Sequence, residues 1–89
     1  MTRDELLKHA AEAVNTHGEH GAPEVSFPKV AALWTAYYGK PFAPHDVAVM
    51  LALLKVARIA STPAHADNWV DLAGYAACGA ECVLKEDTL

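Results

Sequence analysis

Long apolar runs are missing from this chain. No span of about 18 uninterrupted apolar residues occurs, so nothing in it reads as a membrane-crossing helix. An excess of positive charge is missing too. Seven basic against eleven acidic residues leave a net charge of −4 over 89 residues. A mildly acidic chain is a poor general binder of nucleic acid or anionic membrane, although a local basic pocket can still grip one small anion. There is no glycine-rich phosphate loop, no nucleophile elbow and no internal repeat. Cysteine is scarce. Cys78 and Cys82 lie four apart, so their side-chain vectors run parallel and suit a disulfide badly. They are predicted to be reduced, small core residues. The opening MTRDELLKHA is charged and lacks the apolar core of a secretion signal, so a cytoplasmic location is expected.

What the chain has in quantity is hydrophobic residues, 53% of the total. That argues against disorder. A chain of this length forms one small domain able to bury roughly 60–65% of its unfolded surface. The apolar surplus predicts that another subunit covers part of it, making a homo-oligomer.

The periodicity predicts an all-α domain of four helices, at about 2–15, 26–38, 45–60 and 66–84. Thr2-x-x-Glu5 has the form of a capping box for the first. Leu6, Leu7, Ala10, Ala11, Ala13 and Val14 recur at helical spacing as its apolar face. Residues 16–25 read as a loop, punctuated by Gly18, Gly21 and Pro23. His17 and His20 fall there without a second ligand pair, and read as solvated rather than metal-binding. Ser26 is the expected N-cap of the second helix, with Pro28 in its first turn and Gly39 at its end. Phe27, Val30, Ala31, Leu33, Trp34 and Tyr37 make a broad apolar face, most simply core. In the third helix no polar residue occurs from Val47 to Leu54, which predicts burial on several sides. Asp46 falls in its first turn, against the positive end of the helix dipole. In the fourth, Gly74 and Gly79 predict close backbone approach to the central helix or to a second copy.

The polar residues near the last loop form the candidate site. Lys55 and Arg58 sit one turn apart on one helix face. They either offset the dipole and snorkel to water, or grip a phosphate or carboxylate. Asp67 and Asp71 lie four apart on the next helix, with His65 or Asp67 at its cap. Two such carboxylates can hold Mg²⁺ or pair with Lys55 and Arg58. The short loop at 61–64 makes the two helices antiparallel, so Arg58 and Asp67 are expected to be neighbours.

The segments HGAPEVSFPKVAALWTAYYG, HDVAVMLALLKVARI and HADNWVDLAGYAACGAE together resemble a family of short phage and prophage proteins of uncharacterised function. More distantly, LLKVAR followed by DNWVDLAGYA is similar to the last two helices of MazG-like nucleotide pyrophosphohydrolases and phage nucleotide-modification proteins. The resemblance implies that Asp67 and Asp71 belong to an acidic motif holding Mg²⁺, with Lys55 and Arg58 as phosphate contacts. It departs at the first acidic motif of that superfamily: PKVAALWTAYYG carries no carboxylate, and Asp46 points about 180° from Lys55 on an ideal helix. Two functions are expected from these readings. One is nucleotide handling in the host cytoplasm, with Mg-dependent hydrolysis where the acidic set suffices. The other is a non-catalytic homo-oligomer that binds a host protein or signalling nucleotide.

Overall fold

The computed structural model describes residues 1–16 and 22–84. These form four α-helices and no strand: α1 (Arg3–Asn15), α2 (Pro23–Tyr38), α3 (Pro44–Ser61) and α4 (Ala66–Val83). None is long and apolar enough to cross a membrane. His17 and His20 lie outside the described residues.

The helix ends follow from local chemistry. Thr2 Oγ1 accepts the Glu5 N–H at 3.1 Å, and the Thr2 N–H donates back to Glu5 Oε1 at 3.5 Å, completing the capping box of α1. Gly39 closes α2 in the left-handed region at φ 82°, where a side chain would be strained. Asp46 Oδ2 accepts the Ala43 N–H at 2.8 Å, tying the chain before α3 to its first turn. The connection between α2 and α3 is fastened by Thr35. Its hydroxyl donates to the Ala31 carbonyl at 2.8 Å and accepts the Phe42 N–H at 2.9 Å.

The start of α2 differs from the expected one. The helix begins at Pro23, three residues before Ser26, and its N-cap is Ala22 without a side-chain bond. Proline at the first helical position has a suitable φ and lacks an N–H that would go unpaired there. Glu24 adds a carboxylate to the first turn. Pro28 therefore sits inside the helix, and the Glu24 carbonyl forgoes its bond one turn on.

α3 packs most extensively on α4, α1 docks on α4, and α2 leans on α3. Ala48 meets Gly79, and Lys55 meets Asp71. Rising numbers on one helix thus face falling numbers on the other, so the pair is antiparallel. A Cβ on Gly79 would lie 2.8 Å from that of Ala48, and one on Gly74 would lie 3.3 Å from a Val14 methyl. The glycines of α4 are therefore used for close approach within the chain, to α3 and to α1.

The core is small: Phe27, Ala31, Val47, Ala48 and Cys78, flanked by Val14, Val30, Trp34, Phe42, Leu51 and Tyr75. Trp34 and Phe42 meet edge to face at 5.7 Å. Two expectations of burial fail. Leu33 and Tyr37 of α2 are exposed, Tyr37 at 93%. On α3, Val49, Met50, Leu53, Leu54 and Val56 are each about half exposed. The physical reason is shared. α2 and α4 cover one side of α3, and no described element of this chain covers the other. Leu7 of α1 and Cys82 of α4 are exposed as well, so Cys82 is not the core residue expected.

Candidate ligand cleft and the α3–α4 bend

The antiparallel pairing places the charged residues. Lys55 Nζ lies 2.8 Å from Asp71 Oδ2. The Lys55 side chain is 13% exposed and that of Asp71 39%, so the ammonium is the more buried partner. Asp71 also lines a largely apolar cleft of about 510 Å³ where all four helices meet. Phe27, Trp34 and Tyr75 supply aromatic faces, Val14 and Leu51 aliphatic ones, and Thr16 and Ser26 the hydroxyls. A cleft of this size, apolar with a few convergent polar groups, suits a small ligand.

Three residues further along α3 is Arg58, and three residues nearer the start of α4 is Asn68. Both steps move about 4.5 Å along a helix axis towards the bend. There a second, polar groove of about 520 Å³ is lined by Ala57, Arg58, Ser61, Thr62, His65 and Asn68. Asn68 is the one buried polar residue among those described, at 6% exposed. The neighbour expected for Arg58 is Asp67. Instead Asn68 shares the groove with Arg58, while the Asp67 side chain is 83% exposed and has His65 Nε2 at 3.9 Å. No carboxylate lies within ion-pair distance of Arg58 among the described residues, which leaves its guanidinium open to an anion. His65 is the N-cap of α4 and lines the same groove. The indole N–H of Trp69 donates to the Pro63 carbonyl at 2.8 Å and ties the bend together. Pattern alone misses Asn68 and Trp69. Only their offset of about ten residues from Arg58, across a short loop, hints that Asn68 faces it.

The residues for Mg²⁺ are separated in role. Asp71 is engaged by the Lys55 ammonium, and Asp67 turns to solvent. Among the described residues no group of three or more His, Cys, Asp or Glu is placed to hold a metal ion. Two protein carboxylates would leave most of an octahedral shell to water or phosphate. The donors present do not by themselves fit a magnesium cage. A smaller cleft, about 240 Å³, brings Cys78 and Cys82 near Glu24 and Glu81. Burial first, then the Glu81 carboxylate, pushes both thiols above their ordinary value of 9.0. At neutral pH they stay protonated, which makes them poor metal ligands and poor nucleophiles.

The profile of a family described as a domain of unknown function, DUF6378, matches residues 5–83. The chain belongs to the DUF6378 family. The match spans all four helices, so the cleft and the bend are both part of the DUF6378 domain. The chain is similar to the Gene 55 protein of Mycobacterium phage L5, with 40% identity over 85 residues. These are 92% of this chain and 54% of the phage L5 protein. It is also 35% identical over 79 residues to the Gene 55 protein of Mycobacterium phage D29, covering 84% of this chain and 51% of that protein. This DUF6378 chain thus spans about half the length of the curated relatives it matches. No solved structure matches it.

Proposed function

We propose that this phage-type protein binds a small phosphate-bearing nucleotide along the α3–α4 hairpin. The observation that carries the reading is the juxtaposition of two unlike sites one turn apart. An aromatic-walled cleft ends at Asp71, and a cationic groove holds Arg58 and His65. A planar base packs against Phe27, Trp34 and Tyr75, with the Asp71 carboxylate accepting from its N–H groups. Arg58 takes the phosphate with its forked donors, and His65 adds charge when protonated. Lys55 sits between the two and steadies Asp71. The resemblance of LLKVAR and DNWVDLAGYA to MazG-like pyrophosphohydrolases, read from the sequence alone, points to the same ligand class. Magnesium, if it joins, comes with the phosphates and meets Asp67 or Asp71 as minor ligands; binding does not depend on it. The protein acts in the host cytoplasm, where such nucleotides are abundant.

The test is a thermal-shift and calorimetric screen of nucleoside mono-, di- and triphosphates, each with and without Mg²⁺. A ligand at ten times its Kd adds about 1.4 kcal/mol, which moves the midpoint of a domain this size by several degrees. Arg58→Ala is expected to weaken binding about tenfold while leaving the free protein's midpoint within a degree or two. A flat response to every nucleotide at millimolar concentration would remove the proposal.

A further inference from the structure

α3 is apolar around most of its circumference, yet this chain covers only one side of it. On an ideal helix Val49, Met50, Leu53, Leu54 and Val56 span an open arc of about 160°, and each is about half exposed. Beside that arc runs a trough of about 370 Å³ between α3 and α4. Its floor is built of small residues, Ala48, Ala52, Ala76, Gly79 and Ala80, and the ridge of Val49, Leu53 and Val56 stands along one edge. No Asp, Glu, Lys or Arg lines it.

We infer that this face is the contact surface for a second copy of the chain, related by a twofold axis. Three features single out a copy of itself as the occupant. The first is shape. A ridge and a trough lie side by side on one face, so a twofold that seats one ridge in the partner's trough seats the other in return. That is the self-complementarity an isologous interface requires. The second is charge. The trough carries no Asp, Glu, Lys or Arg, and Asp46, at the N-terminal end of the open arc, spends one oxygen on the Ala43 N–H, so a copy meets the trough without like-charge opposition.

The third feature is area. The half-exposed side chains of α3 together with Val83 offer on the order of 500 Å² of apolar surface, near the upper end of what a monomer shows. That is more than half of the roughly 800 Å² per partner that a standard interface buries. The α2 face at Leu33 and Tyr37 is also exposed and serves as the control surface.

Sedimentation velocity on the full chain at about 100 μM tests this. The expected species has twice the monomer mass of 9.5 kDa. Leu53→Glu is expected to give a monomer with unchanged helical circular dichroism, because Leu53 is 59% exposed within one chain. Ala80→Leu fills the trough without adding charge, and is expected to weaken the dimer at least tenfold. Leu33→Glu, on the exposed face of α2, should leave the dimer intact. A wild-type monomer overturns the inference. So does an open-ended ladder of assemblies, because a twofold pair closes. A dimer that Leu33→Glu dissociates and Leu53→Glu does not would place the contact on α2 and equally overturn it.

Discussion

Lys55 and Asp71 divide their burial unevenly, and that inequality decides what each substitution does. The ammonium is the sheltered partner, at 13% exposed, and the carboxylate reaches water at 39%. Asp71→Asn leaves a sheltered cation without its counter-ion and is expected to cost about 1–3 kcal/mol. Lys55→Met keeps the apolar stem and leaves a carboxylate that water can solvate, so its loss is expected to stay below ~1 kcal/mol. Urea midpoints of the two variants check the order. Equal losses would show that the pair sits in one uniform environment. Arg58 is governed by the opposite circumstance. Without a carboxylate within reach among the described residues, it has no ion pair to lose, and its replacement should be felt by a ligand before the fold.

Among the helices, the α3–α4 contact is the tightest feature. Alanine is the better helix former by about 1 kcal/mol, so Gly→Ala in a helix ordinarily stabilises. At Gly79 the added Cβ would come within 2.8 Å of Ala48. Overpacking of that kind costs about 1–3 kcal/mol, and Gly79→Ala is expected to be destabilising overall. Gly74→Ala meets only a Val14 methyl at 3.3 Å and is expected to be neutral or mildly stabilising. Thermal melts of the two variants should therefore move apart, and a rise in both would refute close packing at Gly79.

The same helices show what can be read from residue order alone. Thr2 and Glu5 cap, Gly39 terminates and Asp46 anchors, because each acts on a backbone group within four residues. These effects are local, so pattern finds them. The start of α2 escapes it because Pro23, two residues after Gly21, has the look of a turn. Its other role, opening a helix, shows only in the helix-forming run beyond it. The pairing of Lys55 with Asp71 is legible through the short loop. The relation of Arg58 to Asn68 is not, since it depends on the rotation of α4 about its own axis. Burial on α3 misleads for a plainer reason. A helix with no polar stripe has nothing in its pattern to say which side faces water. The cleft draws residues from four elements, and no spacing within one of them encodes it.

At the scale of the whole molecule, the arrangement is lopsided. The α3–α4 pair is the spine, α2 leans on α3, and α1 has its main contact with α4 alone. α1 buries a single residue fully, Ala10. Yet Ala13, Val14 and Thr16 from its end form one wall of the cleft shared by all four helices. Local opening free energies track buried apolar contact. Backbone amides of α1 are therefore expected to exchange with deuterium at least tenfold faster than those of α4 near Gly74 and Cys78. Equal protection across all four helices would contradict this ranking. The wall least firmly held is thus one that bounds this cleft. For the nucleotide proposed above, the way in would run past the first helix without prising apart the spine, and a bound ligand would give that helix something to close against.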